Sequence, residues 1–161
     1  MKKQILFYLL IFVLFGCKKE QKEEVIQKTE VIKLPPRKIE RDENNLIGFA
    51  CYYSGQKSKP VKKFSEILLK KDYSIIIENL KAKNIADKYL ATAICEKLSE
   101  KKLINLSEDE LNQIKMNKNS SEKVSTCAGC TNDVTMTLKE LFLEKNYIME
   151  ETEEWLNKMI K

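Results

Sequence analysis

The run "NIADKYLATAICEKLSEKK", residues 84–102, holds 19 residues without a glycine or a proline. Ala86, Leu90, Ala93 and Ile94 recur at intervals of three and four, with Tyr89 beside them. That spacing is the period of an amphipathic helix. Asn84 begins the helix. The alanines let another helix approach closely. A helix with such a stripe needs partners, and the flanking sequence supplies them.

Upstream, "SKPVKKFSEILLKK" (58–71) has Ser58 placed to cap, Pro60 in the first turn, and Val61, Phe64, Ile67 and Leu68 at helical spacing. Asp72 can cap a second helix that buries Tyr73, Ile76, Ile77 and Leu80. Downstream, Ser107 and Glu110 in "SEDELNQIKM" stand at the S-x-x-E spacing of a capping box, ahead of Leu111 and Ile114. "NKNSSEK" (117–123) reads as a polar loop. A fifth helix is expected from Asn132 or Asp133, burying Val134, Leu138, Leu141 and Phe142. A sixth, about 149–160, carries Trp155, Leu156, Met159 and Ile160. "LIGFACYYSG" (46–55) is either a short extended segment or a first helical turn, covering one end of the core. The fold class expected is all-α: a small antiparallel helical-hairpin bundle of five to six helices joined by short connections.

Two stretches echo each other. "EILLKKDY" (66–73) and "ELFLEKNY" (140–147) share Glu, Leu, Lys and Tyr at matching positions, 74 residues apart. Upstream of each is a cysteine followed by a Ser-Gly or Ala-Gly pair, at 54–55 and 128–129. Either two amphipathic helices coincide, or a helical-hairpin unit is duplicated. The second reading is loosely similar to HEAT-type repeats, although such arrays generally need at least three units.

The chain begins "MKKQILFYLLIFVLFGCKKE". Lys2 and Lys3 precede an apolar run from Ile5 to Phe15, 11 residues long. A spanning helix needs about 20 apolar residues, so the run fits the core of an export signal. It ends in "LFGC", Leu14 to Cys17, which resembles a bacterial lipobox, with Phe15 bulkier than is usual at its position. The resemblance implies a signal peptide over 1–16, cleavage before Cys17, a diacylglycerol on the Cys17 sulfur and acylation (palmitate-type) of its amine. Several acyl chains hold a protein to a bilayer stably. Lys18 after the cysteine implies release to the outer membrane, and "CKKEQKEE" resembles the start of lipoproteins of Bacteroidota, facing the periplasm or the surface. Residues 17–44, rich in Lys, Glu and Arg and broken by Pro35 and Pro36, are expected to form a charged tether. The helical domain is then 45–161.

Composition excludes much chemistry. The chain has no histidine, which removes Ser-His-Asp and Cys-His nucleophile pairs and the usual zinc-hydrolase ligands. Four glycines make up the whole supply, and no phosphate-cradling G-x-G-x-x-G or P-loop pattern occurs. Residues 17–161 carry 27 Lys and Arg against 24 Asp and Glu, and the two arginines, Arg37 and Arg41, lie in the tether. Arginine is the residue that forks onto phosphate and guanine, so a nucleic-acid partner is not expected. Lysines outnumber acids 12 to 6 over residues 55–102, a face suited to an acidic partner or simply to water. The carboxylate pairs Glu108/Glu110 and Glu153/Glu154 read as solvated helix faces.

Cys51, Cys95, Cys127 and Cys130 remain after Cys17, with Cys127 and Cys130 in the C-x-x-C run "STCAGCTND" (125–133). Outside the cytoplasm an even number of thiols favours disulfides. The pairing expected joins Cys127 to Cys130 across the entry to the fifth helix and leaves Cys51 to Cys95. Cys95 lies roughly 140° from Leu90 on a helical wheel, at the margin of the stripe. Two alternatives stand beside it. All four cysteines can be ligands of a structural zinc, although only half of the strong double C-x-x-C pattern is present. Or Cys127 and Cys130 form a redox pair at a helix N-terminus, where a thiolate is stabilised. The flanking residues differ from the thioredoxin motif.

Taken together, these features predict a non-enzymatic lipoprotein of the cell envelope. It would hold to the bilayer through acyl chains and meet an envelope or extracellular protein through its helical domain. It would need no cofactor beyond the lipid. The alternative is an envelope thiol–disulfide protein using Cys127 and Cys130, or a Cys₄ zinc-stabilised domain.

Overall fold

The computed structural model describes residues 42–129, 134–143 and 146–161. The expected signal peptide, Cys17, most of the expected tether, and Cys130 lie outside the described residues. Among the described residues the chain forms six α-helices and a three-stranded mixed sheet. This corrects the all-α expectation. No helix among them is long and apolar enough to cross a membrane.

Helix α1, Lys59–Lys70, buries Pro60, Val61, Phe64 and Leu68, and ends at Lys71 in the left-handed conformation (φ 58°). Lys71 N–H closes onto the carbonyls of Ile67 and Leu68. Helix α2, Tyr73–Glu78, follows at once and passes into a 3₁₀ turn, Asn79–Lys81, burying Ile76 and Leu80. Tyr73 and Ile77, expected inside, are half-buried. Helix α3, Ile85–Glu100, is capped by Asn84, whose Oδ1 accepts from Asp87 N at 2.9 Å. Its burial differs from the stripe read in the sequence. Every residue from Tyr89 to Cys95 is buried, along with Ala86 and Leu98. Over those two turns the helix is buried all round, with its charged residues Asp87, Lys88, Glu96, Lys97 and Glu100 kept to the ends, and α3 is the central rod on which the other elements pack.

Helix α4, Glu108–Lys118, starts with the expected capping box: Ser107 N donates to Glu110 Oε2 at 2.7 Å, and Glu110 N to Ser107 Oγ at 3.4 Å. Leu111, expected in the core, is 52 % exposed. The core-facing residues are Ile114 and Asn117. The Asn117 amide donates to Leu80 O at 3.0 Å and to Thr92 Oγ1 at 2.9 Å, so one buried polar side chain ties α4 to α3 and to the 3₁₀ turn.

The expected fifth helix begins instead with a strand. Strand β2, Lys123–Thr126, pairs antiparallel with β3, Val134–Thr137, in the register Lys123↔Thr137 to Thr126↔Val134. Strand β1, Leu46–Ile47, joins the other edge of β2 in parallel, Leu46 opposite Ser125 and Ile47 opposite Thr126. Both longer strands are rich in valine and threonine, whose branched side chains suit a pleated surface. Val134, expected to be buried, is 46 % exposed. Helix α5, Leu138–Leu141, follows from a second capping box between Thr137 and Glu140, and buries Leu138 and Leu141. Helix α6, Tyr147–Met159, begins two residues earlier than expected, with Asn146 Oδ1 accepting from Ile148 N at 2.9 Å. It buries Ile148, Thr152, Trp155 and Leu156. It locks to α3 through Tyr89 Oη and Thr152 Oγ1, 2.9 Å apart, and to α1 through Trp155 Nε1 donating to Ser65 Oγ at 3.2 Å.

The echo holds at one point. Tyr73 and Tyr147 each open a helix directly after an N-cap Asp or Asn. The helices before them differ in length, 12 residues in α1 against 4 in α5.

Candidate functional site

Cys51 and Cys127 are joined in a disulfide, with Cα atoms 5.3 Å apart, and Cys95 is a free, buried thiol. This is neither the Cys127–Cys130 nor the Cys51–Cys95 pairing expected. The sheet explains it. The parallel pairing of β1 with β2 carries both chains in the same direction. It continues past the strands: Cys127 N donates to Ile47 O at 2.8 Å, Gly129 N to Ala50 O and Tyr52 N to Gly129 O, both at 2.9 Å. Between the pairs Ile47↔Thr126 and Cys51↔Gly129, one chain has three residues and the other two. That extra residue makes a bulge, which bends a strand and re-aims its side chains. The two sulfurs meet there. Gly48 leaves them room: a Cβ at this position would run into both Sγ atoms and the Cys127 carbonyl.

The other cysteine chemistry is displaced accordingly. Cys127 is 2 % exposed and stands at the exit of a strand, without the helix N-terminus that a redox pair was expected to use. Cys95 is packed in the main core, whereas Cys51 and Cys127 form a separate small cluster with Leu46. Burial, reinforced by Glu110 and Glu96, pushes the Cys95 thiol up to about 12, so it stays protonated and inert at neutral pH. Among the described residues no three His, Cys, Asp or Glu side chains gather as a metal set.

The same bulge builds the wall of a groove. Phe49 and Ala50, between Gly48 and the bridged Cys51, face the C-terminal half of α6 across a space of about 210 Å³. Glu151, Glu154, Trp155, Lys158 and Met159 line the far side. The Phe49 and Trp155 rings stand 5.4 Å apart at 46°. Glu154 and Lys158 pair with each other at 3.5 Å. Glu151 is different. Its Oε2 is buried and accepts no hydrogen bond among the described residues. Burial, with Glu154 adding to it, raises its carboxyl above the ordinary range. A carboxylate oxygen buried without a partner is costly even when the side chain as a whole is half-buried, and perturbed groups in clefts are candidates for function.

The two carboxylate pairs singled out in the sequence behave as helix faces: Glu110 caps α4, Glu153 accepts from Lys97 at 2.9 Å, and Glu154 meets Lys158. Glu151 was missed, although it lies four residues before Trp155 on the side of α6 that carries Ile148 and Thr152. The lysine-rich middle of the chain is also partly neutralised. Lys63 pairs with Asp87 at 2.7 Å, Lys97 with Glu153 at 2.9 Å, and Lys88 with Glu122. The Lys88 ammonium holds the Glu122 carboxyl below its ordinary range. What the arrangement offers is a small aromatic-walled recess beside a disulfide-bridged corner, with a carboxylate oxygen sealed in its wall that has no partner among the described residues. No protein-family model matches this chain, and comparison with the curated proteins and with the solved structures likewise finds no match.

Proposed function

We propose that the protein is a lipid-anchored component of a bacterial cell envelope, attached to the outer membrane through Cys17, whose helical domain binds another protein and catalyses nothing. The observation that carries this reading is the buried Cys51–Cys127 bridge. Such bonds form and persist in oxidising compartments. The bridge is therefore in keeping with the export signal and lipobox-like "LFGC" at residues 14–17. The lack of histidine and the inert Cys95 thiol support a binding role over a catalytic one. The matching helix starts at Tyr73 and Tyr147 are in keeping with two related helical-hairpin units.

The test is expression in a Gram-negative host, followed by detergent phase separation and mass spectrometry of the peptide that contains Cys17. The expected result is a diacylglyceryl-modified N-terminal Cys17 in the detergent phase, with Cys17→Ser moving the protein to the aqueous phase. An unmodified Cys17 inside an uncleaved chain would rule the reading out.

A further inference from the structure

We propose that the turn at residues 52–55, with Lys57, Lys59 and Lys62 behind it, seats on the anionic headgroup surface of the bilayer that holds the chain's own lipid anchor. The turn is built to present one ring. Cys51 and Gln56 exchange both backbone hydrogen bonds at its base, at 2.7 and 3.0 Å, and Tyr52 N donates to Gly129 O at 2.9 Å. The bridge to Cys127 fixes the same corner. Tyr52 takes the left-handed conformation (φ 60°), which a bulky side chain seldom adopts and which costs energy. Its side chain packs back on Leu46, Cys51 and Cys127. Tyr53 is thereby left at the tip, 97 % exposed, the most exposed large apolar side chain among the described residues.

The surroundings carry one sign of charge. Residues 46–65 hold four lysines and no Asp or Glu. Lys63 is taken by Asp87, and Lys57 shares its groove with Glu151, Glu154 and Lys158. Lys59 and Lys62 are exposed and make no ion pair among the described residues. Lys62 Nζ donates to Gln56 Oε1 at 3.3 Å, which sets this ammonium at the base of the turn. A tyrosine with lysines behind it matches the headgroup layer. The ring is apolar with a polar tip, and lysines close to an anionic surface are attracted to it. The size of the patch favours a bilayer over a protein. One ring and three lysines fall far short of the roughly 1,000 Å² that a specific protein interface buries. A bilayer to which the chain is already tied needs no such area, because the second contact is intramolecular. The tether expected over residues 18–44, treated as a coil, reaches on the order of 30 Å, which keeps the turn within range.

The inference rests on the lipid anchor proposed above, and one digest reads both. The full chain, produced in the Gram-negative host and purified in detergent, is added to preformed vesicles of phosphatidylcholine, alone or mixed with phosphatidylglycerol. Lactoperoxidase, which stays in the water, iodinates the accessible tyrosines. Mass spectrometry maps them together with the Cys17 peptide. Tyr147, 38 % exposed, is the internal standard. Relative to Tyr147, Tyr53 should react at least about fivefold more slowly on the phosphatidylglycerol vesicles, the shift that one lysine near an anionic surface is worth. Lys59→Gln/Lys62→Gln should restore the phosphatidylcholine rate. High salt should do the same, because it screens exposed charges, and it is the second readout if the variant loses its native circular dichroism. Equal Tyr53 rates on both vesicles, with Cys17 lipidated, overturn the inference and leave the anchor standing. Protection that survives both the substitutions and the salt overturns the charged contact. Protection that appears only after an envelope extract is added overturns the bilayer in favour of a protein. An unmodified Cys17 overturns the anchor, and this inference with it.

Discussion

Gly48 and Glu151 are the two positions where one atom decides the local structure. At Gly48 a methyl group meets sulfur on two sides and a backbone carbonyl on the third. The sulfurs and the carbonyl belong to a bridged, buried corner that has no room to yield. Gly48→Ala should therefore destabilise the fold by about 1–3 kcal/mol, the usual cost of overpacking, read from urea melts. The same change made in a Cys51→Ala/Cys127→Ala background should cost less, because two of the three obstacles are gone. Equal costs in both backgrounds would mean that the bridge is not what Gly48 accommodates. Glu151 acts through its charge. Its carboxyl binds a proton more tightly in the folded state than in the unfolded chain, because burial and Glu154 oppose ionisation. The ionised form thus works against the fold. The contribution to stability is fully present below the ordinary value of 4.5 and is lost as pH rises through the raised folded value. Glu151→Gln should be more stable than the parent at pH 7, with the gap closing below that ordinary value. The comparison must be a difference between the two proteins, since Glu122 and Glu140, both lowered, pull the other way in the same window. A parent more stable than the variant at pH 7 would show that Glu151 has a partner in solution.

Elements divide into those written locally and those that depend on distant partners. The capping box at Ser107 and Glu110 was legible because both halves of it lie within four residues. Ser107→Ala should cost about 1 kcal/mol, with the loss confined to amide protection in the first turn of α4 when hydrogen exchange is followed. Uniform loss across the molecule would instead make Ser107 part of the core's cooperative unit. Ser58 and Asp72 look like equivalent caps in the sequence, yet neither side chain caps its helix. Ser58 Oγ accepts from Gly48 N at 3.3 Å, and Asp72 Oδ1 from Ser74 Oγ at 2.7 Å. A hydroxyl can satisfy a neighbour across the fold as well as its own helix, and local spacing does not distinguish the two. The sheet was missed for a related reason. "KVST" and "VTMT" are four residues each, too short for a period of two to stand out. Strand β1 is two residues whose pairing partner lies 79 positions away, as Leu46↔Ser125 shows. The groove inherits that difficulty. Glu151 and Trp155 were readable as neighbours on one turn of α6, but Phe49 reaches them only because β1 adds to β2.

At the scale of the whole molecule, the bridge decides how much of the fold is held by topology. Cys51 and Cys127 are separated by 76 positions, and α1 to α4 all lie inside the loop they close. Helix α6 lies outside it. Its ties to α1 and α3 are side-chain contacts, Trp155 with Ser65 and Tyr89 with Thr152. In the chain-entropy account, closing a loop of this length removes about 4.5 kcal/mol of freedom from the unfolded chain. Domains of this size have roughly 5–15 kcal/mol in total. The double variant Cys51→Ser/Cys127→Ser, or the parent under dithiothreitol, should therefore lose on the order of 4 kcal/mol in urea melts and stand close to the threshold of folding. Cys95 supplies an internal check that needs no denaturant. It is fully buried and held as a thiol, so iodoacetamide should modify it only through global opening. Peptide mapping should find Cys95 unmodified in the oxidised protein and increasingly modified in the reduced one, at a rate that rises with the measured loss of stability. Fast modification of Cys95 in the oxidised protein would mean that α3 opens without the rest, and the central helix would then not be the rod around which this fold is built.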